Sequence, residues 1–168
     1  ETIRIFARIE LPYTLVVGAT VQEEVGLRGA ETSVNYFKPD IFLALDASPV
    51  NDALDKDALG GLGKGFLLRM YDPRNVMHQG TLDFFVKLAK RYKIAHQYFI
   101  SMGGTDAAKA LDLNEGVIAT TIGLPARYIH STAAMMDTRD LEAAKNMLFK
   151  VLLNLNQAQI QKLKEANS

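Results

Sequence analysis

With 168 residues, 48% of them hydrophobic, the chain is long enough to bury a core of its own, and it has no cysteine for a disulfide, a thiolate nucleophile or a thiolate metal site. Nineteen Lys and Arg balance nineteen Asp and Glu, which excludes the broad positive field that nucleic acid or an anionic membrane surface requires. Any metal must therefore be held by carboxylates and by one or more of the three histidines.

The chain opens at Glu1 without a methionine, directly in an amphipathic run, as expected if an upstream piece has been removed. Its apolar runs are short and broken by charge, and no basic stretch leads into an apolar one. This pattern fits a cytoplasmic enzyme that neither crosses nor binds a membrane.

Residues 14–22 read as the first strand. Residues 41–46, 66–71, 96–100 and 117–122 follow as further short, β-rich apolar runs, mostly continuous in hydrophobicity as buried strands are. Between the second and third strands, residues 52–65 are polar and rich in glycine, which predicts a loop or hairpin at the sheet edge. The GGLGKG within it lacks a Ser or Thr after the lysine and does not match the dinucleotide fingerprint, so it reads as a turn and not a phosphate loop.

Residues 81–92 place Leu82, Phe85, Val86, Leu88 and Ala89 at helical spacing, and residues 105–113 continue a Gly-Gly start with small residues. The last helix opens near Asp137. Asp140 and Glu142 in its early turns complement the helix dipole, and Leu141, Ala144, Leu148, Val151, Leu152 and Leu155 form its apolar stripe. Strands alternating with helices predict one α/β domain, a sheet with crossover helices.

Chemistry is expected where strands end. Glu23 and Glu24 follow the first strand and precede Gly26 and Gly29, which permit the backbone turn that two adjacent carboxylates need to serve one site. Alone, the pair also reads as a solvated acidic turn capping a helix dipole. Asp46 ends the apolar strand 41–46, where a carboxylate is costly to desolvate without a cation or donors; an Asx turn before Pro49 is the other reading. His130 follows strand 117–122 and a proline turn, whereas His78 and His96 read as surface or packing residues. Glu23, Glu24, Asp46 and His130 together make an oxygen and nitrogen donor set suited to zinc, cobalt or manganese.

The segments TVQEEVGLRGA, FLALDASP, RMYDP, GGTDAA and TTIGLPARYIHS occur in an order that resembles the glutamyl aminopeptidase family of two-metal peptidases. The resemblance runs over nearly the whole chain. It implies a three-layer αβα, zinc-peptidase-like (phosphorylase/hydrolase-like) sheet, with residues 1–168 as the C-terminal portion of the catalytic domain, incomplete at its N-terminal side. It further implies that Glu23 is the general base, that Glu24 and His130 ligate one divalent ion, and that Asp46 ligates the other. The ions would be zinc or cobalt, with manganese as a third choice, and would activate water and the scissile carbonyl.

Gly104, Thr105 and Asp106 of GGTDAA would help to bind substrate. That substrate would be a short peptide with a free amino terminus, with acidic terminal residues as candidates and Arg69, Arg74 or Lys64 as their charge partners. The resemblance further implies that the complete protein assembles into a large homo-oligomer, as relatives do. The family's remaining ligands, a histidine and a bridging aspartate, lie upstream of the matched region, so this stretch alone is expected to bind metal weakly and to show little activity. Ala47, Pro125 and Thr132 stand where relatives differ, which bears on the substrate pocket. The alternatives are a non-catalytic or self-associating fragment and a glycosidase; for the latter the absence of tryptophan and 8% aromatic content are unfavourable.

Overall fold

The computed structural model describes residues 2–166. Helices α1 (Thr2–Phe6) and α2 (Arg28–Phe37) precede strand β1 (Ile41–Pro49). Strands β2 (Phe66–Asp72) and β3 (Asn75–Val76) lead through helix α3 (Gln79–Tyr92) to β4 (His96–Ile100). Helix α4 (Asp106–Leu111), strands β5 (Ile118–Arg127) and β6 (Met135–Met136), and helices α5 (Thr138–Asn154) and α6 (Gln157–Ala166) complete the order.

Continuous hydrophobicity decides which strand is central. Nearly every residue of β5 is buried, and it pairs in parallel with β1 on one side and antiparallel with β2 on the other. Strand β2 in turn pairs in parallel with β4 across the α3 connection. Successive residues point to opposite faces: Phe66 and Leu68 of β2, with Ile118 and Ile122 of β5, meet Phe85, Leu88, Met147, Leu148 and Val151 from α3 and α5. On the other face Val117 and Ala119 meet Val34 of α2 and Ala107 and Ala110 of α4. The result is the expected three-layer αβα arrangement, in which the small residues of α4 let it approach the sheet closely.

Residues 14–22 do not form the predicted strand. Among the described residues they pair with no strand; Leu15 packs against the main core, but Val16, Val17 and Val21 are exposed, so the β-branched composition has no ladder to join. The last helix is also shorter than one continuous stripe implies. Leu155 turns extended, and Asn156 restarts the helix by accepting a hydrogen bond from the Gln159 N–H at 2.8 Å. Of the expected stripe, Ala144, Leu148, Val151, Leu152 and Leu155 are buried, whereas Leu141 is exposed.

The glycine-rich segment is a turn organised by a buried carboxylate. Gly63 and Gly65 donate their N–H groups to Oδ2 and Oδ1 of Asp140, each at 2.7 Å. Gln97 braces the same loop by donating to the carbonyls of Gly61 and Gly65 and accepting from the Gly61 N–H, each at 2.9 Å. Gly65 has φ +101°, and a Cβ there would lie 2.1 Å from the Ala95 carbonyl oxygen. These N–H groups are engaged by a carboxylate of the protein itself. No helix among the described residues is long and apolar enough to cross a membrane.

Candidate metal centre

The two glutamates are carried by a tight loop ahead of α2. The Glu23 carbonyl accepts from the N–H groups of Gly26 at 3.1 Å and Leu27 at 2.9 Å, and Gly29 N–H donates to the Val21 carbonyl at 2.9 Å. A Cβ on Gly29 would lie 2.4 Å from the Val21 nitrogen, so only glycine lets the helix start pack beneath the loop. Gln22 (φ 57°) and Leu27 (φ 58°) are left-handed on either side of the turn. Non-glycine residues adopt that conformation only when their surroundings impose it.

A second strained turn lies opposite. After β5, Tyr128 (φ 58°) and His130 (φ 59°) are also left-handed, and this turn brings His130 Nδ1 to 3.2 Å from Glu24 Oε1. Glu23, Glu24, Asp46 and His130 all line one cleft of about 530 Å³. Its remaining walls include Arg69 from β2, Gly103 and Gly104 after β4, and the apolar pair Met135 and Met136.

The charges in this cleft are poorly balanced. Burial raises the pKa of Glu23 above its ordinary value, and the nearby carboxylates of Asp46, Glu24 and Asp106 raise it further, against a lowering by His130. Asp46 is likewise raised, first by burial and then by Asp106 and Glu24, while the Ala47 N–H and the Arg69 charge oppose the shift. Arg69 is the buried counter-charge: it is 6% exposed, its Nε is 3.4 Å from Asp72 Oδ2 and its Nη1 donates to Ser48 Oγ at 3.4 Å. Its Nε and Nη2 are buried without a hydrogen bond.

Carboxylate oxygens held near one another against their mutual repulsion, with an imidazole nitrogen beside them, are the donor chemistry of a divalent cation. The set fits such an ion in kind. Among the described residues, however, no three His, Asp or Glu side chains converge on one point.

A family model for M42 glutamyl aminopeptidases matches residues 1–147. This chain belongs to the M42 glutamyl aminopeptidase family. The family is metal-dependent, in keeping with the donor set of the cleft. The chain is 42% identical over 164 residues to the glutamyl aminopeptidase of Lactococcus lactis, covering 98% of itself and 46% of that protein. It is 32% identical over 131 residues to the lysyl aminopeptidase of Pyrococcus furiosus, covering 76% of itself and 37% of that protein. The chain thus spans less than half the length of these curated relatives.

Among solved structures, the TET aminopeptidase of a marine-sediment Thaumarchaeota archaeon superposes with a TM-score of 0.89 at 32% identity, over 96% of this chain and 46% of that one. The Pyrococcus horikoshii TET1 peptidase, which assembles into a tetrahedron or a large octahedral shell, matches at a TM-score of 0.71 and 29% identity over 81% of this chain and 40% of that one.

Against this M42 frame, the structure brings together the four residues assigned to the metal and to proton transfer. It divides GGTDAA: Gly104 lines the cleft, whereas Thr105 is wholly buried with its hydroxyl 2.7 Å from that of Thr121, and Asp106 is 8% exposed with its Oδ2 accepting from the Thr20 hydroxyl. Of the three basic residues considered for an acidic substrate, only Arg69 lines the cleft. Ser48, Met135 and Met136 gave no signal in the sequence. A serine or methionine acquires a role here only through its neighbours, although an arginine inside the apolar run FLLRMYD was a legible anomaly.

The end of β5 is fixed by a bidentate pair. Arg127 Nε and Nη2 donate to Asp52 Oδ1 and Oδ2 at 2.8 and 2.9 Å, and Asp52 Oδ2 also accepts from the Leu62 N–H at 3.0 Å. The arginine hydrogen bonds are the chief reason the Asp52 pKa falls from 3.8 to about 2. A depressed carboxylate contributes stability that is present above pH 4 and lost as the pH falls towards 2. Because the pair is partly exposed and screened by solvent, Arg127→Ala is expected to lower stability at pH 7 modestly. Denaturant melts at stepped pH check this: the gap between variant and wild type should close between pH 4 and 2. Asp137, also held at about 2 by Arg139, titrates equally in both proteins and cancels.

Proposed function

We propose that the protein carrying this chain is a metal-dependent aminopeptidase that removes amino-terminal residues, acidic ones by preference, from short peptides. The observation that carries this reading is that Glu23, Glu24, Asp46 and His130 line one cleft together with the buried cation Arg69. Membership of a peptidase family supports this reaction over glycoside hydrolysis.

In this reading Glu24 and His130 hold one divalent ion and Asp46 contributes to a second, with zinc, cobalt and manganese all suited to the donors. The ions, when bound, supply Lewis-acid activation of the scissile carbonyl and of water. Glu23 then does the proton work. It takes a proton from the water as the new C–O bond forms and delivers it to the amine as the C–N bond breaks.

Arg69 supplies the preference. A buried guanidinium that lines the cleft, with Nε ion-paired to Asp72 and Nη2 without a hydrogen bond, can take the carboxylate of a Glu or Asp side chain with little further desolvation. Assembly into a large homo-oligomer, as described for TET1, completes the proposal.

The test is a set of chromogenic substrates with Glu, Asp, Leu and Lys at the amino terminus, assayed before and after chelation and metal restoration. Activity should vanish with chelation and return with zinc, cobalt or manganese. Arg69→Met should lower kcat/KM for the Glu substrate about 10- to 100-fold relative to the Leu substrate. Equal wild-type rates on all four substrates would remove the acidic preference, and chelator-resistant activity would remove the metal.

A further inference from the structure

Asp106 and Thr20 form a tether between elements 86 residues apart, and neither lines the cleft. The Thr20 hydroxyl donates to Asp106 Oδ2, while Asp106 Oδ1 is buried without a hydrogen bond. Immediately before Asp106, the buried Thr105 hydroxyl meets that of Thr121 at 2.7 Å. Thr121 lies in β5, in register with Ala44 of β1, two positions before Asp46. One line of contacts thus runs from the paired strands through the start of α4 to the loop that carries Glu23 and Glu24.

That loop needs an external hold. It contains two left-handed non-glycine residues, Gln22 and Leu27, each of which costs about 1–3 kcal/mol unless its surroundings impose it. Glu24 is 69% exposed at its side chain, so packing does not fix it. From the loop itself the only side-chain hydrogen bond between its ends that accompanies the Thr20 contact among the described residues is the exposed one from Arg28 Nη1 to Gln22 Oε1 at 3.3 Å. A buried carboxylate accepting from a hydroxyl is the stronger of the two.

We infer that Asp106 is a positioning residue, which acts through Thr20 to hold the Glu23–Glu24 loop in its strained turn, and is not a substrate contact. This rests on the catalytic reading for its kinetic consequence but not for its structural one. A substrate-binding carboxylate would face the cleft with a free oxygen. Asp106 is nine-tenths buried, with one oxygen committed to the loop.

The experiment compares Thr20→Val, which keeps the shape and removes the donor, with Thr20→Ser, which restores it, in the complete protein. Hydrogen exchange of the Gly26, Leu27 and Gly29 amides reports the turn directly, since those N–H groups close it. In Thr20→Val their protection should fall by about tenfold, the loss of one hydrogen bond of ordinary strength. Gly63 and Gly65, held by Asp140, should not change. Thr20→Ser should restore protection to within about twofold. On the metal-loaded enzyme, kcat should fall about 10- to 100-fold in Thr20→Val with KM nearly constant.

Unchanged exchange at Gly26–Gly29 would overturn the tether. A several-fold rise in KM with kcat preserved in Asp106→Asn, which can still accept from Thr20, would make Asp106 a substrate contact. If the wild type hydrolyses no peptide, the aminopeptidase reading fails alone, and the exchange result still decides the tether.

Discussion

Replacing Glu23 by glutamine should lower kcat by about 10²- to 10⁴-fold while leaving metal content near that of the wild type, because under the proposed mechanism the change removes proton transfer and little else. Glutamine keeps the shape and one acceptor oxygen, so the loop should stay folded: the turn is closed by backbone bonds from Gly26, Leu27 and Gly29. Metal analysis beside steady-state kinetics separates the two roles of the glutamate pair. Glu24→Gln should lose metal, since Glu24 is the carboxylate whose oxygen approaches His130 Nδ1 at 3.2 Å. Loss of metal from Glu23→Gln would make Glu23 a ligand and leave the reaction without a base.

The largest effect on stability is expected at Asp140. Its carboxylate is 1% exposed and accepts two N–H bonds at 2.7 Å from Gly63 and Gly65. Hydrogen bonds to a charged group contribute about 1.5–3 kcal/mol each, and removing the acceptor leaves both donors unsatisfied. Asp140→Ala should therefore destabilise by about 3–5 kcal/mol and lower Tm by roughly 10 °C.

Asp140→Asn retains one acceptor and should lose about half as much. Differential scanning calorimetry decides the order; equal losses for Ala and Asn would mean that the charge, not the count of bonds, holds the loop. The slack would also travel. Leu62 of the same loop donates to Asp52, which clamps Arg127 at the end of β5, three residues before His130.

Much of the site was legible because its signals are local. A carboxylate pair before two glycines, an aspartate after an apolar run and a histidine beyond a β-rich run are each anomalies that burial alone does not explain. The strands nonetheless run past their expected ends: Asp46 lies inside β1, which continues to Pro49, and Pro125 lies inside β5, which continues to Arg127, and not in a turn. Four of the five expected strands form for the same local reason, since an apolar run bounded by turn residues has few other folded fates. The exception, residues 14–22, shows the limit: strand propensity is completed by a partner, and among the described residues there is none.

Asp106 shows it from the other side. In the sequence it is one polar residue of a glycine-flanked motif, equally able to face a substrate or a neighbour. Only packing α4 against the sheet buries it and delivers its oxygen to Thr20.

The sequence by itself determined the α/β class, the cysteine-free donor chemistry and four candidate positions, Glu23, Glu24, Asp46 and His130, because periodicity and the cost of charge near apolar strands are properties of neighbours along the chain. The three-layer αβα form and the roles of those four came from the family resemblance of the motifs. Tertiary structure alone decided that Arg69 faces those carboxylates while Arg74 and Lys64 do not, and that Asp140 is a loop anchor as well as an acid in the first turn of a helix. Those outcomes depend on which strands are adjacent and on where a desolvated charge finds its partner. Such distances across the fold are written in no stretch of residues short enough to read.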